Sequence, residues 1–458
     1  MGFYLYTGNK LEKLAELFRE QVYARQADET AWLTPETVVI QTQGMGAWLK
    51  LELAKSAPLA ANLNFPFLNK FIESVLEKAF PDFHESLRYL SKEVMAWRIF
   101  HIFSDHPETF PELNGYFSRD TGEQDLKKYQ LAVKVAGLFD QYQIYHGDML
   151  GNWRRNGGNG WQERLYLELA ESRKSIDRYF NDFLSLTSIP EDAAPKRISV
   201  FGISTMAPVF LQFFVKLAEF RDVHFFYLNP CSGYWSEILS SRQAGSLSRK
   251  TGVERESLMD GNPLLASMGT QGRDFFRLMM ELPELNVTQE TACFEPFRED
   301  SYTMLTALQQ DILDNTVRGR GIKNDFAEPP LPVTPDDRSV TVHNCHSPLR
   351  EVEVLHDRLM ALLQDRSIQP HDIIVMAPDI SVYEPYVNAV FGTGALRNCY
   401  AFSDRSIRNS NRTAAVFLSL LKLWKSKYEV SAVFDLLEHP AIRRKWNLET
   451  ADLSRLRQ

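Results

Sequence analysis

The sequence predicts an α/β protein: a parallel sheet split by an all-helical insertion, followed by the start of a second α/β unit. Three observations carry this. Near the N-terminus, a buried-strand pattern, a glycine turn and a helical stripe occur twice in succession. Between residues 85 and 194 helical apolar spacing dominates and strand signals nearly vanish. Strand–helix–strand order then returns, and returns again beyond a proline-rich stretch. The predicted organisation is a discontinuous sheet domain over 1–84 and 195–328, a helical insertion over 85–194, a linker at 329–337 and a second α/β domain from 338 to 458.

The elements follow in order. Residues 3–6 (FYLY) read as a short strand, closed by a turn at Thr7-Gly8-Asn9. Leu11, Leu14, Leu17, Phe18 and Val22 then recur at helical spacing. Residues 37–42 (TVVIQT) form the second strand, broken by Gly44 and Gly46 before a helix carrying Trp48, Leu49, Leu51 and Leu53. Another helix follows Pro66, within 64–80. In the insertion, Val94, Trp97, Ile99 and Phe100, then Leu131, Val135, Leu138 and Phe139, mark helices, and 151–161 (GNWRRNGGNGW) reads as a loop. Strands resume at 197–201 and 223–228, with a helix over 209–220 between them. The polar stretch 237–260 reads as a surface loop. The linker has four prolines in nine residues, which resist helix and ladder alike. Residues 339–344 and 372–377 are then expected as strands around a helix at 349–364. The final residues, ADLSRLRQ, are helical with no stop signal, as in a chain cut within a larger protein.

Composition narrows the class. At 458 residues the chain exceeds one core, and hydrophobic (44%) and charged (24%) fractions are those of a globular protein. No apolar run approaches the ~18 residues of a membrane span, and no signal peptide opens the chain. The four cysteines, Cys231, Cys293, Cys345 and Cys399, are scattered without a CxxC pair, which fits a reducing cytoplasm. A net charge of −8 excludes wrapping in nucleic acid over the whole surface but not a local basic channel. Arg397, Arg405, Arg408 and Arg412 form one basic cluster, read either as a solvated loop or as a contact with DNA or a partner.

Nucleotide chemistry is degenerate. A nucleotide-binding sheet opens with a strand, a glycine-rich loop whose N–H groups cradle phosphates, and a Lys that reaches them. Here LYTGNKLEKL is too short for that loop, and Leu11 stands where a magnesium-binding hydroxyl belongs. The second turn, QTQGMGAWLK, lacks the Lys-Ser/Thr pair, so neither is a working phosphate loop, and Gly8-Asn9 reads as a tight turn with a helix cap. The strand ending ISVFGIS offers Gly202 and Ser204 where a magnesium-binding acid is needed. His343, Cys345 and His346 alternate across a predicted strand and read as packing residues, not a metal site. Asp379 reads as a helix cap.

Two segments carry binding chemistry. Gln41 and Gln43 lie at the mouth of the second strand, the edge where open α/β sheets bind ligands. They either hydrogen-bond base edges or cap neighbouring helices. Residues 138–146 (LFDQYQIYH) either present aromatics and amides to nucleic acid or form a tyrosine-rich core edge.

VVIQTQGMGAWL, AANLNFPF (60–67), LFDQY (138–142), FGIS (201–204), LNPCSGYW (228–235), GNPLLAS (261–267), GRDF (272–275), CHSPLREVEVLHDRL (345–359), DIIVM (372–376) and SDR (403–405) run in order along the chain. Together they resemble the RecC family, the gamma subunit of exodeoxyribonuclease V. The resemblance implies an inactive superfamily 1 helicase-like fold: the discontinuous sheet domain is 1A-like, the insertion 1B-like, and 338–458 an incomplete 2A-like domain. It implies a non-catalytic DNA-binding subunit in double-strand break repair, with RecB-type and RecD-type partners. Double-stranded ends and single strands are the implied DNA ligands. The subunit would guide split strands and scan the 3′-ended one for a Chi-like sequence. No cofactor is expected in this chain, with ATP and magnesium at the partner subunits. Matched by position, Gln41, Gln43, Phe67, Leu138, Asp140 and Gln141 fall at the family's Chi-reading positions, and Arg173 joins them by counting back from FGIS. Ala47, Glu73, Gly137 and His146 depart from the family's pattern, which implies either an altered recognised sequence or weak recognition. The rival readings are a scaffold that tethers two motors and a divergent ATP-dependent helicase.

Overall fold

The computed structural model describes residues 1–23, 34–56, 61–117, 124–157, 160–171, 173–254, 261–297, 303–319, 328–394, 396–397, 399–402, 412–424 and 426–456. It divides into two compact units, Met1–Ser339 and Val340–Gln458. Among the described residues no helix is long and apolar enough to cross a membrane.

The first unit is built on six parallel strands: β1 (Gly2–Gly8), β2 (Glu36–Val39), β3 (Leu63–Asn64), β4 (Arg197–Phe201), β5 (Asp222–Leu228) and β6 (Val287–Ala292). Their order is β3-β2-β4-β5-β1-β6. Side-chain alternation sorts the strands onto two covered faces, as a parallel sheet requires. Phe3, Leu5, Val39, Ile198, Val200, Val223, Phe225 and Tyr227 enter one core. Tyr6, Val38, Ile40, Phe201 and Phe226 enter the other, under α1 (Leu11–Phe18) and α2 (Gln43–Ser56). At the N-terminal edge, Arg197 makes a bidentate pair with Glu36, Nε to Oε1 at 3.2 Å and Nη2 to Oε2 at 2.7 Å.

After α3 (Leu68–Ala79) the chain leaves the sheet for a run of α-helices. These are α4 (Phe83–Tyr89), α5 (Lys92–Asp105), α6 (Asn114–Phe117), α7 (Gln124–Tyr145), α8 (Gly147–Asn156), α9 (Trp161–Ala170) and α10 (Ile176–Leu184). Phe83 of α4 and Tyr179, Phe180 and Phe183 of α10 enter the sheet's first core, whereas Met95, Ile99, Phe103, Phe110, Val135, Phe139, Leu165 and Leu169 form a core of the helices between them. The stretch read as a loop at 151–161 is instead largely helix: α8 runs to Asn156 and α9 starts at Trp161. Leu150 anchors α8 in the helical core, which outweighs the low helix propensity of its glycines.

The chain returns through β4, α11 (Pro208–Leu217) and β5. The polar stretch expected as a loop contains α12 (Ser241–Thr251), because Ser240 and Gln243 form a capping box and Gly252 ends the helix in the left-handed region. Next come α13 (Pro263–Met268), α14 (Thr270–Glu281), β6 and α15 (Met304–Leu313). β6, with sequence VTQETA, is an edge strand whose largely exposed residues gave no apolar alternation to read.

The second unit contains α16 (Pro348–Leu362), α17 (Ile380–Phe391) and helices at Arg412–Leu423, Val430–Leu437, Pro440–Trp446 and Thr450–Leu456. Val352, Leu359, Val387, Phe391 and Leu396 form its core. The strands expected at 339–344 and 372–377 are absent: among the described residues this unit has no strand. A strand needs a ladder partner, and none is provided; Val342, Ile374 and Met376 are 92%, 79% and 84% exposed. His343, Cys345 and His346 thus lie on irregular chain, and no metal-binding cluster occurs among the described residues. Asp379 caps α17, accepting from the Ser381 N–H at 3.0 Å. Arg405, Arg408 and the SDR segment lie outside the described residues, Arg397 is exposed, and Arg412 opens a helix.

Candidate nucleic-acid interface

The second strand-to-helix turn gathers three of the singled-out residues. Beyond Val39 the chain makes one more bridge, Ile40 to Phe67, and the Ile40 N–H donates to Pro66 O at 3.1 Å. Ile40 and Phe67 therefore meet at the C-terminal edge of the sheet, with Gln41 the next residue after Ile40 and Gln43 opening α2. Phe67 is 39% exposed, and Gln41 and Gln43 are exposed. The cap of α2 is Thr42, whose Oγ1 accepts from the Met45 N–H at 3.3 Å. Neither glutamine caps a helix, and among the described residues neither side chain has a hydrogen-bond partner. Gly46 lets the helix lie close, since a Cβ there would stand 3.0 Å from Ile40 Cδ1 and 3.1 Å from Phe65 Cγ. Lys50 Nζ stands 5.2 Å from the centre of the Phe65 ring.

Next to this turn, β4 is followed by Gly202, whose φ of 66° favours glycine. A Cβ there would lie 2.8 Å from Met45 Cε. The position where a magnesium-binding acid is sought is thus covered by a thioether, a poor ligand for a hard cation.

Helix α7 carries the second group. Its buried side is Ala132, Val135, Ala136, Phe139 and Gln143. Leu138 is 39% and Tyr145 60% exposed, and with exposed Gln141 they recur at i, i+3, i+7 on one outward face. Asp140 lies on the flank. Burial raises its carboxyl above the usual range, while Lys92 of α5 draws it down and Glu93 raises it further. Gly137 leaves room for that lysine: a Cβ at 137 would stand 3.5 Å from Lys92 Cε. Gln143 fixes the helix from below, accepting from the Ile176 N–H at 3.3 Å beside the buried Arg154–Asp177 ion pair. The helix has the core edge that one reading of 138–146 expected, and an exposed face opposite it.

Arg173 stands apart from both groups. Its Nη1 donates to Glu85 Oε2 at 2.9 Å, and its guanidinium lies 5.8 Å from the Tyr89 ring centre. Among the described residues no hydrogen bond or ion pair links the β2 edge, the α7 face and Arg173.

The first turn differs from the second. Asn9 does not cap α1; its Nδ2 donates to Glu295 O at 2.8 Å, and its Oδ1 accepts from the Glu295 N–H at 2.9 Å. Lys10 and Lys13 both pair with the Glu295 carboxylate. The sequence reading missed Glu295, because nothing local to ETACFEPF announces that β6 runs beside β1.

Comparison with known proteins places the chain. A family model described as RecC, N-terminal domain, matches residues 3–315. The chain belongs to the RecC family. A second model, the RecBCD enzyme subunit RecC fourth domain, matches residues 410–458. The chain is 32% identical to the RecBCD enzyme subunit RecC of Escherichia coli K12 in an alignment 507 positions long, covering 99% of the chain and 44% of that protein. It is 29% identical to the Haemophilus influenzae protein of the same name, covering 100% of the chain and 45% of the relative. The Mycolicibacterium smegmatis RecBCD enzyme subunit RecC is 28% identical, covering 91% of the chain and 39% of the relative. The chain thus spans less than half the length of these relatives.

Proposed function

We propose that this chain forms the N-terminal part of a RecC-type subunit of a RecBCD-type helicase–nuclease acting in recombinational repair of double-strand breaks. It is a non-catalytic DNA-binding part with an inactive superfamily 1 helicase-like architecture: a 1A-like sheet domain, a 1B-like helical insertion and part of a 2A-like domain. RecB-type and RecD-type subunits are its partners in the cytoplasm and hold the ATP and magnesium. Double-stranded ends and single strands are its ligands, and a Chi-like sequence on the 3′-ended strand is what it scans.

The observation that carries this reading is the family match combined with two unengaged glutamines at an open sheet edge. Gln41 and Gln43 offer amide donor–acceptor pairs, suited to a base edge, with Phe67, bridged to Ile40, as an apolar contact. Leu138 and Gln141 offer the same mixture on α7, with Asp140 at its flank. Arg173 has a different role: held by Glu85 and Tyr89, it meets DNA as a phosphate contact only by exchanging a surface carboxylate.

The test is binding of a labelled single strand across a salt series, alone and with the partner subunits assembled. Binding through phosphates weakens steeply as salt rises. Gln41→Ala in the assembled complex is expected to lower the response to the recognised sequence by roughly 1–3 kcal/mol of discrimination, with unwinding intact. Equal loss of both would sink the reading role, and absence of binding in the assembled complex would leave a scaffold.

A further inference from the structure

The first turn of the sheet has the position of a phosphate site, and the chain itself fills it. Lys10 Nζ lies 3.0 Å from Glu295 Oε2, and Lys13 Nζ lies 3.1 Å from Glu295 Oε1. Two ammonium groups from the start of α1 converge on the two oxygens of one carboxylate. That carboxylate is held in place from both sides of its own backbone, through the paired hydrogen bonds to Asn9. Phe297 lies under the same lysine, 5.4 Å from Lys10 Nζ to the ring centre.

The segment arrives because β6 runs parallel to β1 and the chain beyond Ala292 continues along the turn. The Cys293 N–H donates to Thr7 O at 2.8 Å. A Cβ at Gly8 would stand 2.5 Å from Cys293 Sγ and 3.0 Å from Cys293 O, so glycine is what permits the segment to lie on the turn. In an open α/β sheet this C-terminal edge, at a helix N-terminus, is where anions are bound. Two lysines set this close repel unless an anion lies between them. Glu295 supplies it to both lysines, while Lys13 has Glu16 Oε2 as a second partner at 3.0 Å, and the hydrogen bonds from Lys10 and Lys13 hold the Glu295 carboxyl below the usual range.

We infer that Glu295 is a tethered stand-in for a phosphate: the turn between β1 and α1 is an anion site closed from within, and removing that carboxylate opens it to a free polyphosphate. A tethered group competes at an effective concentration on the order of millimolar or above. A free anion at micromolar concentration therefore does not displace it. The site is independent of Gln41, Gln43 and the α7 face, so its failure and that of the DNA-reading role are separable.

The experiment is a calorimetric titration of the full chain with pyrophosphate at low salt and neutral pH. The variants are Glu295→Gln and Glu295→Ala, each also combined with Lys10→Ala and Lys13→Ala. Glu295 is partly exposed, so both substitutions are compatible with folding, and far-UV circular dichroism checks this. Wild type is expected to show no saturable binding at micromolar pyrophosphate. Each Glu295 variant is expected to bind about tenfold or more tightly than wild type, and removal of the lysines is expected to abolish that gain. Pyrophosphate should raise the thermal midpoint of the Glu295 variants alone. The inference is overturned by a folded Glu295→Gln chain that gains no binding, by a gain indifferent to Lys10 and Lys13, or by wild type binding as tightly as the variant.

Discussion

The two strand-to-helix turns at the C-terminal edge of one sheet have opposite fates. At the first, a segment distant in sequence lies on the glycine, and its Glu295 carboxylate pairs with both lysines, Lys13 keeping Glu16 as a second partner. At the second, the helix is capped by Thr42 and both glutamines remain without partners among the described residues. Both turns read alike as degenerate phosphate loops, and neither has the Lys-Ser/Thr pair of a working one. The difference is in what covers them. β1 has β6 as its outer neighbour, and β6 brings Cys293 and Glu295. β2 has only the two-residue β3 on its outer side, after which the chain passes Phe67 and turns away as α3. A polar turn that is internally paired is spent; one that is left unpaired keeps its hydrogen-bonding capacity for a ligand.

Glycine substitutions test this difference most strongly. Gly8→Ala drives a methyl into Cys293, backbone included, and is expected to destabilise the first unit by about 1–3 kcal/mol. Gly44→Ala at the second turn meets nothing nearer than Thr42 Oγ1 at 3.9 Å. It lies in the first turn of α2 and is expected to stabilise by up to about 1 kcal/mol. Thermal midpoints of the two variants should move in opposite directions, and a shared direction would erase the contrast. A smaller effect is expected from Gln41→Ala, which should leave stability within about 0.5 kcal/mol of wild type because the side chain is exposed and unbonded. A larger loss would mean that Gln41 holds structure.

The pH dependence gives the finest comparison. Glu295 is depressed by its lysines, so it contributes stability above its ordinary value of 4.5 that is lost as pH falls through the folded value. Asp140 is raised by burial, with Lys92 opposing. Its folded form keeps a proton that the unfolded chain has released, so stability falls as pH climbs from 3.8 toward the raised value. Glu295→Gln should flatten the loss on the acid side, and Asp140→Asn should flatten the fall above it. Midpoints measured from pH 3 to pH 6 in about half-unit steps decide whether the slopes have these signs.

Local patterns made much of the first unit legible. FYLY, RISVF and VHFFYL alternate between two covered faces, and their buried runs announce strands without knowledge of their order. The glycines, the missing Lys-Ser/Thr pair and the absent acid after RISVF could be read directly, whereas Leu138, read with Phe139 in one apolar stripe, is exposed. Two loops were misread because their helices are held by contacts or caps that composition hides, Leu150 under α8 and Ser240–Gln243 at α12.

The sequence by itself determined the strand and helix periods, the degenerate nucleotide loops and the family. Tertiary structure alone decided which turn is open. Lys10 and Glu295 are 285 residues apart, and only the pairing of β6 with β1 brings them together. Ile40 and Phe67 meet through one bridge, and 339–344 and 372–377 remain unpaired for want of one. Periodicity is a local property of the chain, whereas strand order, and the contacts at a sheet's edge, are settled by long-range pairing that no window of sequence contains.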